Sequence, residues 1–235
     1  MSRTALLAGA TGLVGGCLLD ELLRNPAWGR VVALVRRELR RKHARLLQRF
    51  ADYEQLDDLS DVLAADDVFC CLGTTMRKAG SRDAFYKVDF TYVHELARAA
   101  LAHGATQFLL VSALGANPRS RIFYSRVKGQ VEDAVSRLPY RAVHIFRPSL
   151  ILGERAERRT GERIGMAVAR VVSPLLIGSL RRYRPIPAAD VARAMVRAAL
   201  AGTQGIEIWE YDQLAGPVDP SQRHARALSG REGSP

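Results

Sequence analysis

Cysteine is scarce in this chain: Cys17, Cys70 and Cys71 are the only three. Neighbours on a strand point to opposite faces, so Cys70 and Cys71 do not bridge each other and no disulfide framework follows. Such usage fits a reducing compartment, with the cytoplasm as the expected location. Metal-ligand spacing is missing as well. There is no CxxC pair and no HExxH helix, and the five histidines are scattered, so no metal site is expected. Long hydrophobic runs are absent too. The most apolar stretch, residues 171–180, is broken by Pro174 and Gly178 and flanked by Arg170 and the pair Arg181-Arg182. It falls short of the roughly 20 residues that span a bilayer. The apolar run behind Arg3, residues 4–8, is too short for a secretory core.

Acid is in deficit: 24 Asp and Glu face 35 Lys and Arg, a net charge of +11. Aromatic residues make up 7%, and none interleaves with the local basic cluster at residues 36–49. Without a binding motif the excess charge predicts no specific nucleic-acid partner. It fits the steering of a phosphorylated cofactor, or a generally Arg-rich composition. Hydrophobic residues reach 48% of 235, enough for one substantial core. Residues 217–235 are polar and are expected to be disordered, which leaves residues 1–216 as one domain.

Apolar runs at residues 4–8, 31–35, 67–72, 107–112, 140–146 and 206–211 read as strands. Residues 18–24, 84–103, 124–138 and 188–200 read as helices, the first closed by Asn25-Pro26 and the second capped by Gly104. Continuous apolar strands alternating with helices predict an α/β fold, a parallel sheet covered on both faces. After Gly153 the pattern changes. Residues 154–163 form a charged loop and residues 164–180 an apolar segment, so a small C-terminal substrate lobe is expected over residues 153–187.

Gly9-Ala10-Thr11-Gly12-Leu13-Val14-Gly15 follows the first strand and opens the first helix. A turn without β-carbons lets backbone N–H groups approach a pyrophosphate, and the helix N-terminus adds a favourable dipole. Gly9, Thr11, Gly12, Leu13, Val14 and Gly15 are therefore expected to contact a dinucleotide. NAD binders usually carry an acid at the end of the second strand. This chain has Arg36 and Arg37 there, and guanidinium groups suit a 2′-phosphate. NADP(H) is predicted over NAD(H).

Tyr124 and Lys128 stand at i and i+4, on one helix face. Ser112 ends the preceding strand. A phenol titrates near pH 10, and a neighbouring ammonium favours phenolate. Tyr124 then acts as general acid towards a carbonyl oxygen, or as base in reverse. Ser112 is assigned to hydrogen-bond the same oxygen, and Lys128 to hold the nicotinamide ribose and tune Tyr124.

These residues resemble an atypical short-chain dehydrogenase/reductase, most closely the Tat-interacting-protein-like oxidoreductases. The resemblance runs over residues 4–211. It is carried by Gly9-Gly15, by residues 51–58, by Phe69-Cys70-Cys71-Leu72-Gly73-Thr74-Thr75, by Lys87-Val88-Asp89, by residues 124–132 and by Phe146-Arg147-Pro148-Ser149. It implies a Rossmann-type doubly wound sheet and NADP(H). It implies that Asp52 and Tyr53, after the third strand, lie near the adenine. Leu72, Gly73 and Thr74 line the dinucleotide, and Pro148 and Ser149 sit by the nicotinamide. Ser112, Tyr124 and Lys128 take the family's catalytic positions. One departure is Asp89, where many relatives carry Asn: ionised Asp accepts hydrogen bonds but donates none, which weakens a proton relay through water.

The substrate expected is a small carbonyl or alcohol compound. A rival role is a dinucleotide sensor that regulates another protein, although a pure sensor has no need of a Tyr–Lys pair. A second rival has the segment 164–180 dipping into a lipid surface, against the simpler expectation that it is buried in the substrate lobe.

Overall fold

Period-two alternation along the strands decides the architecture. In β1 (Arg3–Ala8), Ala5 and Leu7 enter one apolar cluster while Leu6 and Ala8 enter another. β2 (Trp28–Val35) divides the same way, with Val31, Ala33 and Val35 against Val32 and Leu34. Strands that are apolar on both faces need cover on both.

The computed structural model describes residues 2–153 and 176–216. After β1 and β2 come β3 (Leu46–Phe50), β4 (Asp67–Cys70), β5 (Gln107–Val111), β6 (Ala142–Phe146), β7 (Ile151–Leu152), β8 (Ile186–Pro187) and β9 (Gly205–Trp209). The helices are α1 (Leu13–Arg24), α2 (Ser60–Leu63), α3 (Met76–Ala79), α4 (Arg82–Tyr86), α5 (Tyr92–Ala102), α6 (Phe123–Ser136), α7 (Ala188–Ala201) and α8 (Tyr211–Ala215). Seven strands form one sheet in the order β3-β2-β1-β4-β5-β6-β9, and every neighbouring pair is parallel. β7 and β8 pair separately.

α1 packs on α7 over one face, with Leu18, Leu22, Val191 and Met195 in the shared cluster. α5 and α6 cover the other face through Val93, Leu96, Val131 and Val135. Each such side chain contributes about 1.5–3 kcal/mol by leaving water. The sheet is the doubly wound Rossmann type. Its strand order reverses between β1 and β4, and in open α/β sheets a ligand lies outside the carboxyl ends of the strands at that point.

Several boundaries differ from the expectations. The first helix starts at Leu13, not residue 18, because the glycine turn delivers the chain straight into it. The strands read at 67–72, 107–112 and 140–146 are one or two residues shorter. β3 lies hidden in the basic cluster and is an edge strand, half-buried and without a clear apolar face. The helix read at 84–103 is divided by a π turn, Lys87–Thr91. The strand read at 206–211 stops at Trp209, and α8 follows under a Glu210–Gln213 capping box. The charged loop at 154–163, the apolar segment up to residue 175 and the tail at 217–235 lie outside the described residues.

Candidate active site

The turn after β1 is built by close approach. Gly9 has φ +87°, and a Cβ there would lie 2.5 Å from the Cys71 carbonyl oxygen. The chain leaving β1 is thus pressed against the chain leaving β4, at the reversal of strand order. A Cβ on Gly15 would lie 2.1 Å from the Gly9 carbonyl oxygen, so α1 starts directly over the turn. Gly12 is its N-cap, with no side-chain cap bond and no acid in the first turn. The first N–H groups of α1 are left for an anion. Thr11 and Gly12 are exposed and Leu13 is half-buried. The Val14 side chain belongs to the core, so only its backbone can serve a ligand.

At the outer end, Arg36 and Arg37 are exposed immediately beyond β2. Tyr53 is buried and stacks on Tyr92 at 5.4 Å between ring centroids. Burial pushes its phenol above the ordinary range and Cys70 adds to the rise, while the Arg36 charge opposes it. Asp52 is exposed and accepts the Glu54 N–H at 3.0 Å, capping its own turn.

At the inner end, Ser112 follows β5 and its N–H donates to the Phe146 carbonyl at 2.7 Å. Its hydroxyl is buried and has no protein partner. Tyr124 lies in the first turn of α6 with 36% of its surface exposed, its ring 5.6 Å from that of Phe85. One turn on, Lys128 is buried and its Nζ lies 2.9 Å from Asp89 Oδ1. The other Asp89 oxygen accepts the Thr74 N–H at 2.8 Å. Burial alone would lower the Lys128 pKa. The Asp89 carboxylate and Tyr124 outweigh it, and the net direction is upward.

Backbone contacts fix this constellation. A Cβ on Gly129 would lie 2.2 Å from the Pro118 nitrogen, so α6 presses on the loop between β5 and α6. The Asn117 N–H donates to the Ser125 carbonyl at 3.0 Å, and the Leu114 N–H to the Pro148 carbonyl at 2.9 Å. A cleft of about 630 Å³ opens here, lined by Ala113, Leu114, Tyr124, Pro148, Ser149 and Tyr183 among others. The Ser149 hydroxyl donates to the Arg184 carbonyl, so its bond goes to the protein and not outward.

Three charged cleft residues carry no site role in the sequence reading: Arg147, Arg182 and Glu210. Arg147 is held by Glu132 at 2.5 Å. Its position before Pro148 at a strand end was the available signal. Asp89 was noticed only as a replaced Asn. Its pairing with Lys128 was not foreseen, and nothing local to Lys87-Val88-Asp89 announces it.

A profile of the NAD(P)H-binding family matches residues 9–144. Protein HTATIP2 of Rattus norvegicus is 35% identical over 208 residues, covering 87% of this chain and 84% of the relative. The chain is an atypical short-chain dehydrogenase/reductase of the HTATIP2 type. Protein fmp52, mitochondrial, of Aspergillus clavatus is 34% identical over 212 residues, 87% of this chain and 90% of its own length. Among solved structures, MoeE5 in complex with UDP-glucose and NAD superposes with a TM-score of 0.67 at 18% identity, over 91% of this chain and 79% of that one. UDP-glucose 4-epimerase of Thermotoga maritima gives 0.64 at 14% identity, over 99% and 84%. At such identity the two structures share the fold with this HTATIP2-type chain.

Proposed function

We propose that this chain is an NADP(H)-dependent oxidoreductase that interconverts a carbonyl and a hydroxyl group, with Tyr124 as proton donor in reduction. The observation that carries the reading is the placement of Tyr124: at an open cleft, one helical turn from a buried lysine, beside the end of the sheet where its order reverses. The residues present fit a dinucleotide. Gly9 and Gly15 leave no room for β-carbons, the α1 N-terminus is uncapped, and the Ser112 hydroxyl is buried without a partner.

In this reading Gly9, Thr11, Gly12, Leu13 and Gly15 offer backbone to the pyrophosphate, together with the Val14 N–H. Leu72, Gly73 and Thr74 line the coenzyme, and Asp52 and Tyr53 flank the adenine. Arg36 and Arg37 take the 2′-phosphate. Bound there, the nicotinamide supplies hydride to a carbonyl carbon. Tyr124 donates its phenolic proton to the carbonyl oxygen, and the Ser112 hydroxyl donates a hydrogen bond to the same oxygen. The Lys128 ammonium favours the phenolate left behind. Pro148 shapes the wall beside the nicotinamide, and Ser149 fixes that wall to Arg184.

The three cysteines are unpaired, which supports a reducing compartment. The cytoplasm is one such compartment. The fungal relative named mitochondrial keeps it from being the only one. Among the described residues no helix is long and apolar enough to cross a membrane.

The test is NADPH oxidation against a panel of aldehydes, ketones and quinones, with Tyr124→Phe alongside. Turnover by the wild type and its collapse in the variant support the reading. Equal rates in both remove Tyr124 as the acid. Tight NADPH binding with no turnover across the panel favours the sensor role instead.

A further inference from the structure

We infer that Asp89 is a positioning residue whose carboxylate clamps the catalytic lysine and the coenzyme-lining loop into one unit, one oxygen on the Lys128 ammonium and the other on the Thr74 N–H. The inference rests on the reading above in taking Lys128 and the Gly73–Thr74 segment as coenzyme-side groups.

Oδ2 accepts the Thr74 N–H at 2.8 Å, and Oδ1 is ion-paired with the ammonium at 2.9 Å with an angle that falls short of a hydrogen bond. The pair is shielded from water: the Asp89 side chain is fully buried and that of Lys128 is 5% exposed. The loop lies directly on it. A Cβ on Gly73 would stand 3.4 Å from Asp89 Oδ1 and 3.6 Å from Lys128 Nζ, ordinary van der Waals contact with both groups. Asp89 itself sits on the π turn between α4 and α5. Phe85, Asp89 and Val93 are all fully buried at a spacing of four, which a wide turn keeps on one face better than a regular α-helix does. π turns are rare and gather at functional sites.

Charge gives the clamp a second consequence. Three groups favour the charged ammonium: Asp89 from the π turn, Tyr124 from its own helix and Cys70 from the end of β4. Burial works against a charged lysine, and Asp89 is the largest influence that restores it. An ionised carboxylate has no proton of its own to donate, so the clamp holds the lysine without supplying the proton. Tyr124 is then reprotonated from the open cleft, on which it has exposed surface.

The chain has four lysines, Lys42, Lys78, Lys87 and Lys128, so each ε-carbon can be followed by NMR in protein labelled with 13Cε-lysine. The first measurement uses the coenzyme-free wild type. Lys128 is expected to stay charged to higher pH than exposed Lys42. A Lys128 midpoint at or below that of Lys42 overturns the inference without any variant. In Asp89→Asn the Lys128 midpoint is expected to fall by at least about one pH unit, the size of shift that losing an adjacent charge produces. The Lys42 signal and the melting temperature report whether the variant is folded.

NADPH affinity by fluorescence, from pH 7 to pH 10, is the second readout. In the wild type it should hold across the range. In Asp89→Asn it should weaken about tenfold or more towards the alkaline end, as the lysine loses its charge. A lowered midpoint with unchanged affinity at every pH overturns the clamp between lysine and loop. A high Lys128 midpoint in a wild type that binds no NADPH sinks the coenzyme reading, and the clamp between lysine and coenzyme loop falls with it. The NMR result shows which failure has occurred.

Discussion

The two ends of the parallel sheet each bury an aspartate beside a cation, and they use it differently. At the amino ends of the strands, Asp67 accepts the Trp28 indole N–H at 2.7 Å and an Arg3 guanidinium bond. Neighbouring donors there also end on protein: the Thr4 N–H on the Asp66 carboxylate at 2.7 Å, the Gln107 amide on the Ala199 carbonyl at 3.3 Å. At the carboxyl ends, Asp89 holds Lys128, but around that pair groups are left over. The Ser112 hydroxyl has no protein partner and the α1 N-terminus no cap. Buried polar groups that go unpaired are costly, so a fold keeps them where something else completes them. At the amino ends the donors of Arg3, Thr4, Trp28 and Gln107 all end on protein, although the buried Gln107 Oε1 has no partner; at the carboxyl ends a hydroxyl donor and a helix N-terminus are left for what binds there.

The sharpest way to break this comparison is at Tyr124. Tyr124→Phe keeps the ring that packs near Phe85 and removes only the proton donor. Turnover should fall about 10²- to 10⁴-fold, the usual contribution of a general acid, while the melting temperature holds. Steady-state kinetics beside a thermal melt checks both halves. A lowered melt with preserved turnover would make Tyr124 a packing residue.

Asp67→Ala is the mirror experiment at the amino ends. Breaking a buried pair by removing one partner costs about 3–5 kcal/mol, to be read by urea denaturation. The NADPH affinity of the folded fraction should not change. Burial pushes the Asp67 carboxyl above its usual range, although Trp28 and Arg3 oppose it. The folded state therefore holds that proton to higher pH than the unfolded chain. The stability Asp67 adds is greatest in acid and declines as pH rises through its folded value. The loss on mutation should accordingly be no smaller at pH 4 than at pH 8.

What the sequence made legible follows from which neighbours are local. The turn from Gly9 to Gly15 and the Tyr124–Lys128 pair are each contained in one turn or one helix, and spacing alone reveals them. Strand periodicity revealed the two-sided sheet. Asp89 meets Lys128, and Glu132 meets Arg147, only after strands and helices have been stacked, so no local pattern marks either pair. The resemblance implies a third strand before Asp52, but periodicity gives it no bounds, because β3 is a half-buried edge strand in which Leu46 and Leu47 are followed at once by Gln48 and Arg49. The π turn escaped because one wide turn barely disturbs a helical period. Tyr53, Val14 and Ser149 were assigned by position in a motif, which fixes the backbone. Their side chains are occupied by the core or by Arg184.

Replacing Arg36 and Arg37 by Asp and Ala tests the outermost part of the open end. Charge-assisted hydrogen bonds contribute about 1.5–3 kcal/mol, so NADPH affinity should weaken about tenfold to a hundredfold. NADH affinity should stay the same or improve. Titration by fluorescence with both coenzymes decides it, and equal losses for the two would mean that the arginines hold no 2′-phosphate.

Ser112→Ala carries the smallest effect and the most informative sign. At the amino ends of the strands, deleting a buried hydrogen-bonding group strands its partner and destabilises the fold. Ser112 Oγ has no partner to strand, so removing it relieves a buried, unpaired hydroxyl. The melting temperature should hold or rise, by up to about 1 kcal/mol of stability. Turnover should nevertheless fall about five- to tenfold, the worth of one neutral hydrogen bond of about 1 kcal/mol to the reacting oxygen. Stability and activity then move in opposite directions for a single deleted oxygen. A fall in both would mean that the hydroxyl is tied into the protein after all, and the distinction between the two ends of the sheet would lose its clearest support.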